Sequence, residues 1–202
     1  MKHAITILAL MISTAGVAQE SMVLGQVTAW EWNEVFNQMT EKSFSVKYNP
    51  KTTTYYIRVD DWMSNAWIHF SENEIESMRT VINKYQEWND IAIENNTKIE
   101  KEITGGRFEC TVSWYSADEW YHSSSDMSVI FKIFSQSTTW HQMMIYSSKV
   151  SSTENEYIDF KMPTLYLDLA HAEELKQIIS QENIEAKLSA YNKEKANEDL
   201  FK

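Results

Sequence analysis

From Phe44 onward, apolar and polar residues alternate with the period of a strand, interrupted by two long stretches with the period of a helix. Phe44, Val46 and Tyr48 alternate with Ser45 and Lys47, and Asn49-Pro50-Lys51-Thr52 is turn chemistry. Thr54 to Val59 reads as the returning strand, with Tyr55, Ile57 and Val59 on one face. Ala66 to Phe70 follows as a third strand after a turn at Met63-Ser64-Asn65.

Ser71 with Glu74 three residues later forms a capping box, which predicts a helix over 73–95. Its Ile75, Met78, Ile82 and Tyr85, then Trp88 or Asn89, keep the 3,4 spacing of one buried stripe. The helical pattern fades at Asn95-Asn96-Thr97. Strand alternation then resumes at Ile99–Ile103, Phe108–Tyr115, Met127–Phe134 and Trp140–Tyr146, with short strands at Tyr157–Phe160 and Leu165–Leu169. A second helix is expected over 172–191, with Leu175, Ile178, Ile179 and Leu188 inward. Ser123-Ser124-Ser125 and Ser147 to Thr153 read as exposed loops. Val27 to Phe36 fits a strand or a short helix equally, and Gln19 to Gly25, polar or small, is expected to be poorly ordered.

The expected fold class is therefore α+β: a mostly antiparallel sheet with two main amphipathic helices packed on it. Both halves, 27–97 and 98–192, read as a meander followed by a helix. Glu74 and Glu174, Ile75 and Leu175, and Met78 and Ile178 are each 100 residues apart. Internal duplication and coincidence of topology both remain open on this pattern.

The first residues follow a different order. Lys2 and His3 are basic, Ala4 to Ile12 is apolar apart from Thr6, and Ser13 to Ala18 is a run dominated by small residues. Gly16 and Ala18 stand at the −3 and −1 places that signal peptidase requires to be small. Residues 1–18 are thus expected to be a signal peptide, leaving a single domain, 19–202, exported to the periplasm or secreted. No later stretch approaches ~18 apolar residues, so no membrane-spanning helix is expected after signal removal.

Composition narrows the function classes. The formal net charge is −11, with positive residues scattered singly. Nucleic acid and anionic lipid surfaces, which need clustered Lys or Arg, are not expected partners. Net acidity favours solubility and, if anything, cationic partners. Cys110 is the only cysteine, so no intramolecular disulfide can form, and a small buried apolar role is expected for it. Eight Trp, ten Tyr and eight Phe against four Gly and two Pro argue for ordered strands.

Candidate chemistry is sparse. The chain has no G-x-S-x-G, no H-E-x-x-H and too few glycines for a phosphate cradle. Asp118 and His122 would share an edge if that segment were helical, but a metal site needs further ligands, and His141 could serve only if the fold brought it near. Adjacent carboxylates at Asp60-Asp61 point to opposite faces of a strand and cannot act as a glycosidase pair. No metal or cofactor is expected. His69 shares a strand face with Trp67 and reads as a half-buried sheet histidine; His171 reads as a solvated residue at a helix start.

Aromatic recognition is the leading expectation. Trp120, Tyr121 and His122, then Trp140 and His141, flank Ser/Thr-rich loops. Rigid aromatics with polar tips suit protein or glycan contacts. The expected function is a non-catalytic exported binding or accessory protein of the cell envelope. The alternatives are a hydrolase using carboxylates and His122 or His141, and an inhibitor or immunity-type protein.

Overall fold

The computed structural model describes residues 21–33, 36–60 and 64–200. The expected signal peptide and Gln19 lie outside the described residues. The chain runs β1 (Met22–Asn33), β2 (Gln38–Asn49), β3 (Thr54–Asp60), β4 (Ser64–Phe70), α1 (Glu72–Glu94), β5 (Glu100–Cys110), β6 (Val112–Ser116) and β7 (Glu119–His122). It continues through β8 (Met127–Ser135), β9 (His141–Ser147), β10 (Val150–Ser151), β11 (Asp159–Phe160), β12 (Leu165–Leu167), α2 (Leu169–Ile178) and α3 (Gln181–Asp199).

Ten strands form one antiparallel sheet in the order β5-β8-β9-β12-β1-β2-β3-β4-β6-β7, and β10 pairs with β11 in a separate ribbon. The α+β class read from periodicity is the observed one. Four strands followed by a helix occur twice along the sheet: β1–β4 with α1, and β5, β8, β9 and β12 with α2. The β12–β1 pair joins the two runs, with Trp30 opposite Tyr166.

The 108–115 segment is not one strand. It splits at Thr111 into β5, at one edge of the sheet, and β6, next to the other edge. One residue can connect positions so distant in strand order only if the sheet curls until its ends approach. The Phe70 and Phe108 rings accordingly meet at 6.1 Å, and Phe108 meets Phe131 at 5.5 Å, all on the helix side.

The helices fill that concave side. Helix α1 begins as its sequence dictates: Ser71 Oγ accepts from the Glu74 N–H while the Glu74 carboxylate accepts from the Ser71 N–H at 2.6 Å. Ile75, Met78, Val81, Ile82 and Tyr85 are buried against inward residues of the sheet, and Asn89 rather than Trp88 completes the fully buried stripe. Cys110 is buried in the same core, which pushes its thiol far above its ordinary range and leaves it an inert apolar filler.

Three local expectations change. Met22 and Leu24 are buried in β1, so residues 22–26 are ordered sheet, and Val27 to Asn33 is strand rather than helix. A register shift between Val23 and Gly25 lets the inward set continue as Val27 and Ala29. At that shift α2 comes so close that a Cβ on Gly25 would lie 2.6 Å from Ile178 Cγ1. The expected single helix 172–191 is two: α2 ends at Ile178 with Ile179 as its C-cap, and Ser180 starts α3 by accepting from the Asn183 N–H at 3.2 Å. Asp118 sits in a turn with φ of 65° and His122 in a strand, so the helical Asp118–His122 edge does not form.

Candidate functional site

Because the helices cover only the concave side, alternate residues of β2, β3, β4, β6 and β7 point out on the convex side. Register places them in cross-strand rows. One row is Ser45, Arg58, Trp67, Ser113 and His122. The next is Lys47, Tyr56 and His69, with the His69 N–H donating to the Thr111 carbonyl at 3.0 Å. On the other side lie Asp60, Asn65, Tyr115 and Trp120. Among the described residues, no outward position of β3, β4, β6 or β7 is aliphatic.

The rings hold one another in place. Tyr56 packs edge-on to Trp67 at 5.9 Å and to His69 at 4.9 Å, and Tyr115 tilts against Trp120 at 5.5 Å. Tyr56 is buried yet takes no part in the main core, so this is a second, smaller cluster on the opposite face. Lys47 Nζ lies 4.5 Å from the Trp67 ring centre and the Arg58 guanidinium carbon 5.5 Å. Arg58 Nε also donates to Asp60 at 2.8 Å.

Electrostatics follow from this crowding. Burial, and then the electrostatic influence of nearby His122, lower the His69 pKa from 6.5 to about 4, so the ring is neutral near pH 7. Ser113 Oγ lies 3.5 Å from His69 Nε2. Burial, then the neighbouring Arg58, lower the Lys47 pKa, while Asp60 opposes them. His122 is anchored by the loop after β10: Glu154 accepts from its N–H at 3.0 Å and lies 2.9 Å from its Nδ1. Burial disfavours the Glu154 carboxylate, but the Ser152 hydroxyl, the His122 N–H and ring, and Thr153 together hold its pKa far below the carboxylate range.

The five residues expected to form a site separate. Trp120, 49% exposed, and His122 stand on the convex face, in strand β7 rather than in a loop. Tyr121 between them turns inward, 5% exposed, and stacks on Trp114 at 5.8 Å. Trp140, 48% exposed, sits in the β8–β9 turn, and six strands lie between β9 and β7 in the sheet. His141 is 3% exposed in the core, with its Nδ1 2.6 Å from Ser135 Oγ, and its carbonyl accepts from Tyr85 at 3.0 Å. The two aromatic segments lie on different elements, β7 and the β8–β9 turn, and two of the five residues, Tyr121 and His141, are buried in the core. Sequence reading missed Tyr56, Arg58, Lys47 and Trp67 as site residues. Their signal was present: large aromatic and cationic side chains occupy the outward register of consecutive strands, where small polar residues would suffice.

The arrangement defines a class, a curled antiparallel α+β sheet whose convex face is an aromatic and polar platform. Residues 20–186 match the family described as "Uncharacterised Treponema protein", and the chain belongs to that family. No curated protein and no solved structure matches it.

Proposed function

We propose that this is an exported, non-catalytic binding or accessory protein of the cell envelope, and that it holds its partner on the convex face of β2–β7. The observation that carries the reading is the set of outward rings in adjacent cross-strand rows, Tyr56, Trp67, Tyr115 and Trp120, interleaved with hydrogen-bonding side chains and left outside the helix-covered core. Trp120, half exposed, and the partly exposed Trp67 and Tyr115, backed by the buried Tyr56, gain free energy when a partner covers them. The order of residue types in 1–18 supports export, and the net charge of −11 supports a soluble mature chain. Retention of residues 19–202 on the isolated envelope fraction tests the reading. The double variant Trp67→Phe/Trp120→Ala should lose retention while keeping its melting temperature. Equal retention would refute the site.

A second reading, a hydrolase, rests on Ser113 standing beside neutral His69, with Glu154 holding His122 one strand away. A Ser–His pair is the core of the recurring nucleophile pattern, but here the carboxylate, Glu154, holds a different histidine, so the pair has none of the orienting acid that pattern uses. It lacks a cleft, since these groups stand on an open strand face, and binding is favoured for that reason. Turnover of ester substrates that disappears in Ser113→Ala would establish the hydrolase instead.

A further inference from the structure

From the charges and rings at the centre of the convex face we infer that the partner is an acidic saccharide, its sugar rings lying on the Trp67–Trp120 platform and its carboxylate meeting Lys47 and Arg58. This rests on the binding reading above and names the chemistry of its ligand.

Charge at the centre of the face points to an anion. Two cations share one aromatic ring, at 4.5 and 5.5 Å, and among the described residues a single carboxylate, Asp60, serves them through Arg58. Among the described residues Lys47 has no ion-pair partner, in a chain with 29 acidic and 18 basic residues. Its surroundings disfavour its charge, through burial and through Arg58. A ligand carboxylate placed between Lys47 and Arg58 would relieve both effects with charge-assisted hydrogen bonds. The overall negative charge opposes an anion only at long range, because exposed charges are screened beyond about 10 Å at 0.1 M salt.

The outward positions of β3, β4, β6 and β7 carry no Leu, Ile, Met or Phe. Their Trp, Tyr and Arg suit a protein or a glycan, and the pairing of flat rings with a hydroxyl-binding rim is what favours the glycan. A sugar ring presents an apolar C–H face and an equatorial rim of hydroxyls. Flat rings at Trp67 and Trp120 suit the face; Asn65, Ser113 and His122 suit the rim. Trp120 is two strands and two residues from Trp67, which corresponds to about 12 Å at ~4.8 Å between strands and ~3.3 Å per residue, a span of two to three linked sugars. Acidic oligosaccharides of that length, not monosaccharides, are the fitting ligand.

The test is titration of residues 19–202, by calorimetry and tryptophan fluorescence, with three probes. They are acidic tetrasaccharides (uronate-based and lactyl-carboxylate-based), their methyl esters, and hexaglutamate. At least one acidic tetrasaccharide should bind, its ester at least tenfold more weakly, and hexaglutamate not measurably. Lys47→Met should abolish the preference for acid over ester while leaving the melting temperature within a few degrees. Equal binding of acid and ester, hexaglutamate binding as well as the saccharides, or no acidic saccharide binding at millimolar concentration would each overturn the assignment. If saccharides fail while envelope retention still depends on Trp67 and Trp120, the platform binds a protein: the binding reading stands and only the saccharide falls.

Discussion

Ile82→Ala tests the packing of α1 in the curled sheet. Ile82 has no exposed surface and lies mid-way along the buried stripe of a 23-residue helix. The substitution removes three carbons, a lost transfer free energy of about 2.4 kcal/mol at about 0.8 kcal/mol per buried methylene. Sheet on one side and helix backbone on the other leave little freedom to collapse. A residual cavity of about 60 Å³ then adds roughly 1.5 kcal/mol at about 24 cal/mol per Å³. The expected cost is about 4 kcal/mol, or a drop in melting temperature of about 8–15 °C for a domain of this size. Urea denaturation followed by tryptophan fluorescence would measure it, with Glu76→Ala on the exposed side of the same helix as the control, expected within about 0.5 kcal/mol. Equal losses from both variants would refute the placement of this stripe.

Other outcomes follow from single contacts. Tyr121→Ala should cost about 3 kcal/mol through its core stacking on Trp114, while Trp120→Ala next to it, losing only its half-exposed contact with Tyr115, should cost about 1 kcal/mol or less, both read from urea midpoints. Gly25→Ala should destabilise by about 1–3 kcal/mol, because the new Cβ meets the Ile178 side chain; an unchanged thermal midpoint would mean that α2 sits farther from β1. Ser180→Ala removes the α3 cap and should cost about 1 kcal/mol. His69 holds a proton less readily folded (about 4) than unfolded (6.5), so its neutral state is compatible with full stability above pH 6.5. Stability should then fall as pH drops from 6.5 to about 4, as the unfolded chain takes up the proton. In His69→Asn, that part of the slope should vanish from urea midpoints measured across this range.

The elements set by one local rule were legible. Helix α1 combines a capping box with an unbroken 3,4 stripe, and the β2–β3 hairpin combines alternation with Asn-Pro turn chemistry that ends in Lys51 N–H donating to Asn49 Oδ1 at 2.9 Å. What depends on the whole sheet was not legible. Thr111 carries no glycine or proline signal, yet the chain changes its place in the sheet there because the two ends of the sheet converge. The α2–α3 break was hidden because the inward set runs through it, with Leu175 and Ile179 before it and Ile184 after. Strand β1 was obscured because the shift at Gly25 breaks the alternation that Met22 and Leu24 begin. At the site, alternation assigned the inward face of β3 correctly, with Tyr55, Ile57 and Val59 buried, but β7 was not read as a strand, so the inward turn of Tyr121 between Trp120 and His122 was missed. Recognising the platform needed the registers that line Arg58, Trp67, Ser113 and His122 in one row, and pairing across four strands cannot be read from any one of them.

The central claim is that the convex face of β2–β7 is where the partner sits. Hydroxyl-radical footprinting of residues 19–202, with and without the envelope fraction, tests it most directly, because it reads each exposed ring separately. Oxidation of Trp120, Trp67 and Tyr115 should fall on binding, while Trp140, equally exposed on the β8–β9 turn, and Tyr191 on α3 should react unchanged. Protection of Trp140 or Tyr191 with Trp120 fully reactive would contradict the account.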